Sequence, residues 1–201
     1  MRRAAILTSC LLITMTSTVF GQGFRFARGG LGFQVAFVVT GDTDPVDAAF
    51  NIGGMGDLAF SLGRYGEIHY KPGAGIWFGG GHDNIIVTAP DGTDVLVERD
   101  WLALEFHIDF ADVAYYFPLP RNIFVRPYVG LGPMIAVDHI SADHPYGGWD
   151  RTDTRLGLNL FTGTDFRINP RTYAFFEMRG RVSRWDLFKL KGGMHFVLGT
   201  R

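Results

Sequence analysis

Cysteine is almost absent from this 201-residue chain: Cys10 is the only one. No intrachain disulfide is available, which excludes the disulfide-stapled secreted scaffolds and any multi-cysteine metal site. Excess charge of one sign is absent too. Lys and Arg number 19 against 20 Asp and Glu, a formal net charge of −1, which excludes a polybasic nucleic-acid binder and an acidic tail protein. Beyond the N-terminus no run approaches the ~18 consecutive apolar residues of a membrane-spanning helix. P-loop, dinucleotide and zinc-helix motifs are missing as well, so no cofactor and no metal centre is expected. What remains is 47% hydrophobic, with 27 Gly, 18 Phe and 14% aromatics and a mean hydropathy of +0.10. That is too apolar for disorder. A Gly- and Phe-rich chain without long apolar runs suits a β-barrel.

Residues 1–21 read as a signal peptide. Arg2 and Arg3 open it, Ala4 to Phe20 form an apolar stretch, and Val19-Phe20-Gly21 offers small residues at the cleavage positions. Leu7-Thr8-Ser9-Cys10 resembles a lipobox, but cleavage there would leave too short an apolar region. The expectation is export, cleavage near Gly21, and a cysteine-free barrel domain over 22–201.

Hydrophobicity then repeats with period 2 and hardly ever 3.6. Leu102, Leu104, Phe106, Ile108 and Phe110 oppose Ala103, Glu105, His107 and Asp109. Ile68 to Phe78, Leu156 to Ile168, Ala174 to Val182 and Leu190 to Leu198 alternate in the same way. Three weaker segments run through Phe33–Val39, Leu58–Leu62 and Ile123–Val137, the last carrying Pro127 and Pro133. The total predicts an eight-stranded antiparallel up-and-down transmembrane β-barrel, eight being the smallest number seen in bacterial outer-membrane barrels.

Connections alternate in length. Gly41–Met55, Gly79–Asp100 and Ile140–Thr154 read as long polar loops, and Pro90-Asp91-Gly92 marks a hairpin turn within the second. Gly63–Gly66, Pro118–Asn122 and Asn169-Pro170 read as tight turns at the other rim. Trp77, Trp101 and Trp185 fall toward the long-loop rim, and Tyr115, Tyr116 and Phe117 toward the other, predicting two aromatic girdles.

Volume decides which face points inward. A bore of eight strands has room only for side chains or one small ligand, so the many Phe, Leu, Ile and Val must face outward. The lumen then holds Glu67, Lys71, Glu105, Asp109, Arg126, Asp165, Arg167, Glu177, Arg179, Arg181, Lys189 and Lys191. Such charges must pair or be hydrated. Glu177 is expected opposite Lys191 and Asp57 near Lys71. Acids of the third and fourth strands are expected to reach bases of the seventh and eighth. The reading favoured is a salt-bridged plug over a gated ion path.

Tyr115-Tyr116-Phe117-Pro118 followed by Ile123-Phe124-Val125-Arg126-Pro127-Tyr128-Val129-Gly130-Leu131-Gly132 resembles a signature of small outer-membrane β-barrel proteins. That superfamily holds OmpA-type membrane domains, OmpX, OmpW and opacity-type proteins. The resemblance implies a structural, adhesion or envelope-integrity role in the cell outer membrane. It implies as partners outer-membrane lipids, lipopolysaccharide and the barrel assembly machinery, with the protein a monomer. It does not extend to a peptidoglycan-binding domain. The sequence closes Phe196-Val197-Leu198-Gly199-Thr200-Arg201 where the family's assembly signal usually closes on a terminal aromatic, so Phe196 is expected to serve in its place.

Three other readings are open. One is a small-solute or ion channel of the OmpW type; another is a soluble lipocalin-like binder. The third is a lipid A-modifying barrel enzyme, suggested by His139-Ile140-Ser141 with Asp150 and Asp153 nearby. Sequence proximity alone does not make a triad, so no catalytic residue is assigned. His82-Asp83, Asp138-His139 and Asp143-His144 are read as solvated loop polars in preference to metal ligands.

Overall fold

The structure is a computed structural model that describes residues 25–40, 50–120, 123–182 and 187–200. The signal-peptide segment, Cys10, most of the first long loop and Trp185 lie outside the described residues. Ten strand segments make up eight staves. They are β1 (Arg25–Thr40), β2 (Phe50–Ser61), β3 (Glu67–Tyr70), β4 (Gly73–Thr88), β5 (Asp94–Asp109), β6 (Val113–Tyr116), β7 (Val125–His144), β8 (Gly147–Asn169), β9 (Thr172–Val182) and β10 (Leu187–Thr200).

β3 and β4 form one stave because both pair with β2, and β5 and β6 form another because both pair with β7. The first break falls at Lys71-Pro72, where proline removes a ladder donor. There Lys71 N–H turns to the Asp112 carbonyl at 2.8 Å. β1 pairs with β10 on one side and β2 on the other, so the sheet closes on itself. Closure leaves no open edge, which an apolar surrounding would penalise.

Alternation sets the two faces. Along β5, Trp101, Ala103, Glu105, His107 and Asp109 are buried while Leu102, Leu104, Phe106 and Ile108 are exposed. The outer wall is therefore apolar and the inside polar, the reverse of a soluble barrel. Small residues make the narrow bore possible. A Cβ on Gly163 would stand 2.6 Å from the hydroxyl of Tyr128, so only glycine leaves room for that buried ring.

Two of the expected long loops are regular structure. β4 and β5 stay paired out to Thr88 and Asp94, and β7 and β8 to His144 and Gly147. Both are β-hairpins, and in the first alternating Ile85, Val87, Val95 and Val97 keep the ladder going. The turn between β4 and β5 is closed by Ala89 N–H to the Thr93 carbonyl at 2.8 Å, with Gly92 at φ +84. β2 likewise begins at Phe50, inside the segment expected to be the first loop. At the opposite end the connections are short, as in the 3-10 turn Gly63–Tyr65, where Gly66 has φ +101.

Candidate functional site

The polar residues form three tiers along the bore. At the short-turn end, His69 Nδ1 lies 2.6 Å from Asp57 and its Nε2 3.0 Å from Glu67. Arg126 donates to the same Glu67 oxygen at 2.6 Å, and Arg28 lies 3.4 Å from it. His195 bridges two acids, with Nε2 3.1 Å from Asp165 and Nδ1 3.5 Å from Asp57. Aromatic rings carry this tier: His69 stacks on Tyr116 at 3.8 Å, and Tyr116 on Tyr128 at 4.7 Å.

The middle tier centres on Arg179. Its guanidinium donates to Glu177 at 2.9 Å and Asp109 at 3.0 Å, and pairs with Asp112 at 2.6 Å. Tyr128 O–H donates to Glu177 at 3.0 Å, and Lys191 lies 3.6 Å from the same carboxylate. Lys71 Nζ sits over the Tyr128 ring at 4.1 Å, 4.0 Å from Glu177. A cation on a π face beside a carboxylate compensates burial twice over.

Above it, Arg181 grips both oxygens of Glu105, at 2.6 and 2.8 Å. Lys189 and His107 approach the same carboxylate at 3.6 and 3.3 Å. Arg155 pairs with Asp138 one step higher. A void of about 10 Å³ among Gln34, Asn51, His107, Asn159 and their neighbours separates these tiers, room for roughly one water. The hairpin end is then closed by Trp77 and Trp101 packed with Ala103 and Ala142.

Most of the residues expected in the lumen are there. Lys71, Glu105, Asp109, Asp165, Glu177, Arg179, Arg181, Lys189 and Lys191 are all buried. Glu67 and Arg126 are partly open at the short-turn end. Arg167 differs: it is exposed at the rim. Asp57 lies near Lys71 as expected, and its hydrogen bond is to His69. His69, His195, Asp112, Asp138 and Arg155 also belong to the network. Alternation would have placed each on the lumen face, but none stood out as part of a charge pair.

The girdle assignment needs correction at three positions. Trp77, Trp101 and Tyr116 are 3%, 8% and 1% exposed and lie inside the bore. Nearness to a rim suggested the membrane interface, but the period of 2 fixes the side, and these three share the parity of Glu67, Glu105 and Ala114. Tyr115 and Phe117 do face outward, with Tyr115 O–H donating to the Tyr65 carbonyl at 2.6 Å. His139 also faces outward, its Nδ1 3.0 Å from the Thr152 hydroxyl.

No protein-family model and no curated protein matches the chain. Solved structures do. Neisserial surface protein A is 14% identical with a TM-score of 0.50, over 86% of this chain and 98% of that one. The N-terminal β-barrel domain of Pseudomonas aeruginosa OprF is 15% identical at 0.47, over 87% and 100%. Ail, the attachment invasion locus protein of Yersinia pestis, is 12% identical at 0.43, over 86% and 98%. The likeness to the first of these is one of fold: this chain shares the closed antiparallel β-barrel architecture of Neisserial surface protein A.

Proposed function

We propose that this protein is a closed barrel of the bacterial outer membrane with a structural, adhesion or envelope-integrity role. One observation carries the reading: large apolar side chains cover the outside while carboxylates and guanidiniums fill the inside. Burying Leu102, Leu104, Phe106 and Ile108 against lipid tails removes apolar surface from water at about 25 cal/mol per Å². A soluble lipocalin-like binder would leave that wall in water.

In this reading the short turns face the periplasm and the two long hairpins face outward. Tyr115 and Phe117 meet the inner interface. The chain is exported with removal of residues 1–21, is inserted by the barrel assembly machinery, and sits as a monomer among lipids and lipopolysaccharide. The lumen is a plug. Arg179 and Glu105 tie opposite walls together, and the two indoles above them pack with Ala103 and Ala142 inside the bore, which speaks against an OmpW-type channel. Catalysis has no part in this reading, and the ring of His139, the candidate base, is engaged with the Thr152 hydroxyl.

Fractionation tests this reading. The protein should be recovered from the outer-membrane fraction and migrate faster unboiled than boiled on a detergent gel. Recovery as a soluble periplasmic or secreted protein with no heat-dependent shift would contradict it.

A further inference from the structure

The short-turn end of the barrel opens into a cavity of about 600 Å³. Its described lining residues include four arginines, Arg28, Arg64, Arg126 and Arg167, and one carboxylate, Glu67. Arg28 and Arg126 reach Glu67, and the Arg64 guanidinium donates to the Tyr65 hydroxyl at 2.7 Å. Asp57 and Asp165, deeper in the same tier, are engaged by His69 and His195. Glu67 is moreover already occupied, since one of its oxygens receives Arg28, Arg126 and His69 together.

Arg28 shares the inward parity of Gln34 and Ala36 on β1, and the β-bulge between Phe26 and Arg28 in the β1–β2 ladder turns Phe26 outward beyond it. Its Nε is buried there without a hydrogen-bond acceptor, and its Nη2 has only the 3.4 Å ion pair with the shared Glu67 oxygen. Arg28 lies over the Tyr173 ring at 5.4 Å and Arg126 over the Tyr116 ring at 5.0 Å. Both forks are thus held in place by ring faces, and unmet donors of this kind call for an anionic partner. Arg64 and Arg167 are exposed at the mouth, where they add a positive field at the entrance.

We infer that this vestibule is a binding site for a small multivalent oxyanion, a ligand carrying at least two phosphate or carboxylate groups. Guanidinium forks recognise both groups in the same bidentate manner, and the volume exceeds what a single inorganic ion would fill. The site depends on the outer-membrane reading only for naming the compartment it faces, the periplasm. Binding itself belongs to the folded barrel in any orientation.

The test is calorimetric titration of the folded full-length barrel in uncharged detergent at low salt, with pyrophosphate in one arm and citrate in the other. Saturable binding of at least one probe is expected, and the preferred arm separates a phosphate source from a carboxylate one. Arg64→Gln with Arg167→Gln should weaken it roughly tenfold, as should Arg126→Gln. The mouth pair lies outside the buried network, so the heat-dependent gel shift should be unchanged in it. No binding of either probe, or binding indifferent to the mouth pair, would overturn the inference. The gel shift is read separately, so failure of the barrel reading shows up on its own.

Discussion

Arg181 and Glu105 meet in a two-pronged contact across the barrel, 2.6 and 2.8 Å, with 76 positions of sequence between them. Both are buried, and Glu105 is 0% exposed. Neither charge can reach water without opening the barrel, so each depends on the other.

Glu105→Gln should therefore cost about 3–5 kcal/mol, because Arg181 and Lys189 are left with a neutral partner. Glu177→Gln removes the acid shared by Arg179, Lys191 and Lys71 and should act in the same direction. The midpoint of the heat-dependent gel shift measures both. Midpoints equal to the unmodified protein would mean the lumen is hydrated and its charges relax freely.

The outer wall makes an opposite demand. Arg placed at Leu104, Phe106, Leu158 or Phe176 should cost about 2–4 kcal/mol at mid-depth. Phe106, for example, is 46% exposed on that wall. Ala103→Ser, facing the lumen, should cost far less. Refolding titrations into lipid vesicles report the difference, and equal penalties on both faces would mean the barrel is inside out.

The fold was legible because period 2 is a local property: Leu102 to Phe110 declares its two faces without reference to any other strand. Rules about rims were less dependable. Trp77 and Trp101 were read by their distance from a loop, whereas their parity with Glu105 sends them inside. Arg28 has the inward parity of Gln34 and Ala36, but it precedes the apolar segment Phe33–Val39 whose alternation announces that strand, so no outward apolar neighbour marks it. Nor could Arg181 be matched to Glu105 specifically. That pairing depends on strand tilt and stagger summed around the barrel, which no segment encodes by itself.

Single-tryptophan variants separate a girdle from a plug. A chain retaining only Trp77 or only Trp101 should resist quenching by lipids brominated along their tails, because the indole is enclosed with Ala103 and Ala142. Efficient quenching would restore these residues to the interface. Replacing either indole by Ala should also cost about 3–5 kcal/mol through the cavity it leaves.

One pH-dependent contact lies on the β4–β5 hairpin, beyond the membrane-spanning part. His82 Nδ1–H donates to the Asp100 carboxylate, and that hydrogen bond, with the charges of Asp100 and Glu98, raises its pKa above the ordinary imidazole value. A raised folded pKa means the contact contributes fully below the unfolded value and is lost as pH rises through the raised one. An NMR titration of the His82 ring should show the elevation, and Asp100→Asn should remove it. An unchanged His82 titration in that variant would contradict the assignment.

Planar-bilayer recording tests the closed plug most directly. With Arg179 bound to Glu177, Asp109 and Asp112, and Trp77 and Trp101 packed above, the unmodified protein should insert and show no steady current above the bare membrane. Stable, ion-selective channels from the unmodified, folded protein would contradict it.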